Sequence, residues 1–244
     1  MKVNVCVELH GTIGMHWSSA ARKRFPEGFP GPRGARGTPG FGWRYGYEDM
    51  EPVLPPSLLD PARRYLELLD QWNRIHALTA LEPGARFEEL VLDSCALLPL
   101  LESLPSGARV ADLGTGMGIP AVVLALARPD LEILAVDASR KKLAFVRQAA
   151  LELGLRGLKP VHGRFEALPP LGADAGVAKA VADLASLGGW WRRHGLPGAP
   201  LHALKAADWE EEPLPPGFRA EARPYVLPTR GTRALVTLVR TAGP

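Results

Sequence analysis

Residues 112–118, Asp112-Leu113-Gly114-Thr115-Gly116-Met117-Gly118, follow a short apolar stretch and lead into an apolar run of helical length. Three alternating glycines between a strand and a helix form a turn that accepts positive φ and lets the backbone approach a ligand closely. In an open α/β sheet, the first such crossover borders the crevice where nucleotides bind. A dinucleotide fingerprint spaces its glycines G-x-G-x-x-G and seats a pyrophosphate on the helix N-terminus. Here the spacing is G-x-G-x-G, and Asp112 stands two residues before the first glycine. A carboxylate there sits poorly beside a pyrophosphate and suits a cationic amino-acid ligand. S-adenosylmethionine (SAM) carries an ammonium and a sulfonium and no phosphate, so it meets that requirement. Asp137 follows 25 residues later at the end of the next apolar stretch. That is where a carboxylate receives the two ribose hydroxyls of a bound nucleoside. A dinucleotide, a ligand-free structural turn and a helix-capping role for Asp137 stand as alternatives.

These residues need strands and helices to hold them. From Arg109 the chain alternates between short apolar stretches and amphipathic ones. Strands are predicted at Arg109–Leu113, Glu132–Val136, Lys159–His162, Ala175–Ala178, Leu201–Leu204 and Ala234–Val239. Helices are predicted at Ile119–Ala127, Arg140–Leu153 and Ala182–Arg192. Strand–helix–strand repetition implies a mostly parallel sheet with helices on both faces. Ahead of it, Ser57 to Ile75 places Leu58, Ala62, Tyr65, Leu66, Leu69 and Trp72 on one helical stripe. Asp60-Pro61 reads as the start of that helix, with Asp60 as N-cap. A second helix is predicted over about Ala85–Leu104. The chain thus divides into residues 1–53, an N-terminal helical region at 54–108 and an α/β domain at 109–244.

Residues 18–47 are dominated by Gly, Pro and Arg and keep no helix or strand period, which predicts a disordered tail. It reads as an unstructured segment, as sequence upstream of a start at Met50, or as a basic RNA arm. Residues 1–50 hold seven Lys/Arg against four Asp/Glu, which accounts for the whole net charge of +3. Bulk charge elsewhere therefore gives no support to a nucleic-acid partner, and such a partner would need a local patch. No apolar run reaches the length of a membrane helix, and the first residues lack the apolar core of a signal peptide. A cytoplasmic protein is expected. The two cysteines, Cys6 and Cys95, are too few for a disulfide framework or a Cys-rich zinc site, and no metal is expected.

The turn and its surroundings resemble the ribosomal RNA small subunit methyltransferase G family over roughly residues 57–240. The match runs through Trp72-Asn73-Arg74-Ile75-His76-Ala77-Leu78-Thr79, Leu92-Asp93-Ser94, Asp112 to Pro120, and Arg128-Pro129-Asp130. It continues through Asp137-Ala138-Ser139-Arg140-Lys141-Lys142, Gly163-Arg164-Phe165-Glu166 and Arg233-Ala234-Leu235-Val236. The resemblance implies a Rossmann-like class I SAM-dependent methyltransferase with a seven-stranded, mostly parallel sheet and an N-terminal helical extension. It implies methylation at N7 of one guanosine in 16S rRNA near the decoding site, within the small subunit or its assembly intermediate. It also implies a ligand set. Gly114 and Ile119 would line the methionine end, with Gly116 and Gly118 completing the turn. Asp137 would take the ribose and Phe165-Glu166 would flank the adenine. Lys179 would hold the family's Arg position, as a cofactor contact and a catalytic candidate. The chain departs from the family at Glu89-Leu90-Val91, where a basic residue and His usually stand. It also departs at Ala121-Val122-Val123 after the turn, at Ala178-Lys179-Ala180 and at Lys205-Ala206.

Guanine N7 has a free lone pair and no proton, so its methylation needs no general base. The enzyme must position donor and acceptor in line and stabilise the charge that develops on the ring. The sequence fits this, because it has no [DN]-P-P-[YFW] motif for amino methylation and no Pro-Cys nucleophile for a covalent route. Candidate RNA contacts are Arg140, Lys141 and Lys142 at a helix start, Arg233, and the Trp190-Trp191-Arg192-Arg193-His194 cluster. Each also reads as a solvated or packed surface residue. Nothing in the sequence asks for an obligate oligomer, and a monomer is expected. A SAM enzyme acting on another RNA or a small molecule, and a non-catalytic ribosome-binding relative, stand as the competing functions.

Overall fold

The computed structural model describes residues 51–241. The predicted tail and Met50 lie outside them. Helix α1 spans Leu59–His76 and follows a 3-10 turn at Pro56–Leu58. Asp60 does not cap it. The 3-10 turn runs straight into the helix, Leu58 occupies the cap position, and Pro61 sits in the first turn, where its missing N–H leaves no bond unmade. The predicted stripe is partly confirmed: Ala62, Tyr65 and Leu69 are buried, while Leu66 and Trp72 are half-buried against the core.

The second predicted helix is not one helix. It is an α turn (α2, Pro83–Arg86), a π-helical segment (Phe87–Leu92), a further α turn (α3, Asp93–Cys95) and a 3-10 turn (Leu98–Leu101). A π segment widens the helix by bonding i to i+5 and is favoured near functional sites. Here Asp93 N–H bonds Glu88 O across five residues.

Beyond it the elements alternate as predicted. Strand β1 is Arg109–Leu113, α4 Ala121–Ala127, β2 Glu132–Asp137, α5 Arg140–Glu152, β3 Leu158–His162, β4 Ala175–Lys179, α6 Leu184–His194 and β5 Leu201–Ala206. A hairpin then follows, β6 Phe218–Leu227 and β7 Gly231–Arg240. The sheet order is β3-β2-β1-β4-β5-β7-β6. β1 to β5 are parallel, and β7 lies antiparallel to both β5 and β6. β6 is the strand that periodicity misses. It is an edge strand with Pro224 inside, in which the exposed Arg219, Glu221 and Arg223 alternate with the small Ala220 and Ala222.

Successive residues in each strand enter different cores, as the two-residue period demands. Val110, Ile133 and Val177 pack with α1, the π segment, α4 and α5. Ala111, Leu134 and Ala178 pack with α6 and Phe165 on the other face. The N-terminal helices therefore share a hydrophobic core with the sheet. Among the described residues, no helix is long and apolar enough to cross a membrane. The direction of crossover reverses between β1 and β4, which places a crevice above their C-terminal ends.

Candidate functional site

The glycine turn lies at that crevice. Gly114, Gly116 and Gly118 all have positive φ, at 76°, 58° and 95°. Gly114 is constrained twice, because a Cβ there would also stand 2.7 Å from the Val181 methyls. A Cβ on Gly116 would meet nothing nearer than 4.0 Å, where Lys142 Nζ stands. That glycine is required by its backbone and borders open space. Gly114 and Thr115 donate their N–H groups to Val136 O at 3.0 and 2.9 Å, which ties the turn to β2. From the helical region, the buried Tyr65 donates its OH to Met117 O at 2.9 Å. Burial raises the Tyr65 phenol far above its usual range, so it remains a donor.

Asp137 holds the turn from β2. Its Oδ2 accepts from Gly116 N–H at 2.9 Å and its Oδ1 from Ser139 N–H at 2.7 Å. The capping alternative is excluded by geometry, since Ser139 is the N-cap of α5. Asp112 is fully buried beneath the turn, and its Oδ2 accepts from Ala121 N–H at 3.1 Å in the first turn of α4. The Thr115 hydroxyl is buried beside this carboxyl. Burial pushes the Asp112 carboxyl up to about 7.

This arrangement tests what the turn can hold. A pyrophosphate would need the free N–H groups at the start of α4, but Asp112 already occupies one of them. The residues present thus disfavour a dinucleotide and fit a phosphate-free ligand, with Asp112 lying beneath the turn and not at the ligand surface that its spacing predicted. Asp137 presents a carboxylate oriented by two N–H donors, with lone pairs left for a diol.

The other predicted residues divide into three groups. Ile119 is buried directly after the turn. Gly163 N–H bonds Asp137 O at 3.1 Å, so the segment carrying Phe165 and Glu166 begins beside Asp137. The Phe165 side chain turns into the core, stacked on Trp190 at 5.1 Å between ring centroids, while Glu166 beside it is exposed. Arg140, Lys141 and Lys142 do not act as a unit. Lys141 donates to His76 O at 2.6 Å and closes the end of α1, whereas Lys142 is half-buried beside Gly116 and Arg140 is exposed. Of the predicted aromatic-basic cluster, Arg193 bonds Glu166 O and Arg192 bonds Pro216 O. The buried Trp191 bonds Ala199 O, so this patch is largely committed to packing.

Lys179 ends β4. Leu113 pairs with Ala178, so Lys179 and Gly114 are the next residues along neighbouring strands. Lys179 is not a free cation: its ammonium forms an ion pair with Asp93. Asp93 also accepts from the Tyr225 hydroxyl on β6. Arg233 pairs in register with both Tyr225 and Ala206, and its buried Nε has no partner. The turn between β6 and β7 docks on the π segment. Glu88 accepts from Thr229 N–H at 2.6 Å, from Thr229 Oγ1 at 2.7 Å and from Arg230 N–H at 3.1 Å, and Glu89 pairs with Arg230. Glu89 stands where the resembled family carries a basic residue, and Arg230 is its complement here. Sequence reasoning assigned none of these contacts. The one signal available was Asp93 itself, an acid within the apolar run Leu90-Val91-Leu92 to Cys95-Ala96-Leu97. Such an acid is almost never fully buried without a partner.

Comparison with known proteins gives this site its family. The model of the rRNA small subunit methyltransferase G family matches residues 59–215. The chain belongs to that family. Curated relatives bearing the name "Ribosomal RNA small subunit methyltransferase G" include one from Neisseria gonorrhoeae, 38% identical over 148 residues, covering 60% of this chain and 70% of the relative. One from Bordetella pertussis is 40% identical over 156 residues, covering 61% and 68%. Among solved structures, an O-methyltransferase from Bacillus cereus in complex with SAH superposes with a TM-score of 0.51 at 16% identity, covering 73% of this chain and 91% of that one. That likeness shows the fold, a class I methyltransferase sheet. For a member of the methyltransferase G family, the sequence departures divide: Ala121–Val123 open α4 beside the glycine turn, whereas Glu89, Lys179 and Ala206 lie on the π segment, β4 and β5. In the second group the charged residues have internal partners, Arg230 for Glu89 and Asp93 for Lys179, and Lys205, next to Ala206, pairs with Glu212 at 2.6 Å.

Proposed function

We propose that this chain transfers a methyl group from SAM to N7 of a single guanosine in 16S rRNA. The observation that carries the reading is the turn itself. Three positive-φ glycines, a helix N-terminus closed by Asp112 and a carboxylate at Asp137 sit at the crossover reversal of a chain of this family. When bound, SAM supplies an electrophilic methyl on a sulfonium. Gly114, Gly116, Gly118 and Ile119 then take the methionine end, Asp137 holds the ribose diol, and the segment at Phe165-Glu166 borders the adenine. Asp112 acts from beneath, fixing the junction between turn and helix. Lys179 at the end of β4 faces the acceptor, with Arg140, Lys142 and Arg233 as the cations available to RNA. Lys141 is left as a helix-end contact. The role of the protein is to hold donor and acceptor in line and keep water out, because N7 has no proton to remove.

The test is methyl transfer from labelled SAM to small ribosomal subunits lacking native 7-methylguanosine, followed by mapping of the modified base. Label at one 16S guanosine is expected. Protein that binds SAM yet labels no subunit would overturn the substrate, and transfer to free RNA or a metabolite instead would establish another acceptor. Sedimentation of the same sample is expected to show a monomer.

A further inference from the structure

Asp93 is 2% exposed, and its carboxylate serves two partners that come from distant parts of the chain. The Lys179 ammonium approaches from the end of β4 and the Tyr225 hydroxyl from the hairpin. Burial and the adjacent Asp93 charge raise the Tyr225 phenol beyond its ordinary range, so Tyr225 stays a neutral donor. Lys179 is therefore the cation in direct contact with Asp93, while Arg233 lies in register with Tyr225. Lys179 is level with Gly114 across the parallel pair, at the edge of the crevice where an acceptor must meet the methyl donor. The backbone turns immediately after it, with Ala180 at φ 52°, and brings Val181 onto Gly114.

The proposed reaction moves charge. The N7 lone pair forms the new N–C bond, and the C–S bond breaks with its electron pair remaining on sulfur. No proton is released. The sulfonium becomes a neutral thioether, and the guanine ring becomes a cation. A lone ammonium at the acceptor edge would oppose that transfer, because like charges in a partly buried site repel strongly. We propose that Asp93 is the positioning residue for this step: its buried carboxylate fixes Lys179 at the acceptor edge and cancels its charge while leaving its N–H groups available. The inference rests on N7 transfer, since an acceptor that loses a proton on methylation would gain no charge to protect.

The test compares Asp93→Asn with the double variant Asp93→Asn/Lys179→Gln, which removes both charges. Single-turnover methyl transfer to under-modified small subunits is measured beside equilibrium affinity for S-adenosylhomocysteine. Asp93→Asn is expected to slow transfer roughly 100-fold, the size of a lost electrostatic contact in a catalytic site. Its affinity for S-adenosylhomocysteine is expected to stay within about threefold of wild type, because Asp93 does not touch the cofactor side. The double variant is expected to regain at least about tenfold over the single one, which a purely structural role would not produce. Wild-type speed in Asp93→Asn, or no recovery in the double variant, would overturn the role. Should Asp93→Asn fail to bind S-adenosylhomocysteine because it does not fold, the double variant carries the test. Transfer within about tenfold of wild type then supports charge cancellation, and slower transfer refutes it. A wild-type protein that binds S-adenosylhomocysteine but labels no small subunit would remove the N7 reading, and the role of Asp93 with it.

Discussion

Acidic side chains on the two sides of the β1–β4 boundary are held in different ways. On the β1–β2 side, Asp112 and Asp137 bond backbone N–H groups at Ala121, Gly116 and Ser139, all within about two dozen residues. On the β4–β6 side, Asp93 bonds side chains 86 and 132 residues away, and Glu88 bonds Thr229 across 141 residues. The first arrangement is local and belongs to one strand–turn–helix unit. The second exists only once the helical region, the sheet and the hairpin have come together. A side held by backbone donors tolerates few changes in its motif residues but many changes elsewhere. A side held by paired side chains can exchange its charges, provided that both partners change. Glu89 with Arg230 is such a pair.

Breaking Asp93 should separate the two sides most clearly. Asp93→Asn leaves Lys179 without its counter-charge in a largely buried position, and chemical denaturation is expected to show a loss of about 3 kcal/mol. On the other side, Gly114→Ala forces a side chain into positive φ and against Val181. A loss of about 2–3 kcal/mol is expected, with cofactor binding weakened by more than tenfold in calorimetry.

Asp112 sharpens the comparison through pH. The folded chain keeps its proton up to about pH 7, whereas the unfolded chain releases it near 3.8, so this group lowers wild-type stability as pH rises across that interval. Asp112→Asn has no proton to lose. Its stability relative to wild type is expected to improve by about 2 kcal/mol between pH 5 and pH 8 in denaturant titrations. A constant difference would contradict the burial of that carboxyl. Asp137→Ala should weaken S-adenosylhomocysteine binding about tenfold, or about 1.4 kcal/mol, while leaving the hairpin contacts untouched. The smallest effect is expected from Arg230→Ala, whose ion pair with Glu89 is partly exposed. Thermal melting should register no more than about 1 kcal/mol.

The same division explains what could be read in advance. β1 to β5, the glycine turn and both of its acids were legible, because each depends on residue types at short, regular spacing. The strand β6 was not, because its alternation rests on the small, weakly strand-forming Ala220 and Ala222 and Pro224 argues against a strand. The π segment has the composition of ordinary helix, so its i to i+5 bonding and the pairing of Asp93 with Lys179 show only in the fold. Phe165 reads as a cofactor neighbour in the sequence, but which way its ring turns depends on Trp190 from α6.

The sequence by itself was enough for the alternation of β1 to β5 with their helices, the backbone freedom of the turn, and the carboxylates that close it. It was enough because those properties follow from φ, period and local hydrogen bonds. Only the tertiary structure decided that Lys179 is paired, that Asp93 serves two partners, and that Lys141 and Lys142 face different neighbours. Charge pairing between residues 86 or more positions apart leaves no trace in local spacing, and it forms only when packing removes the water between them.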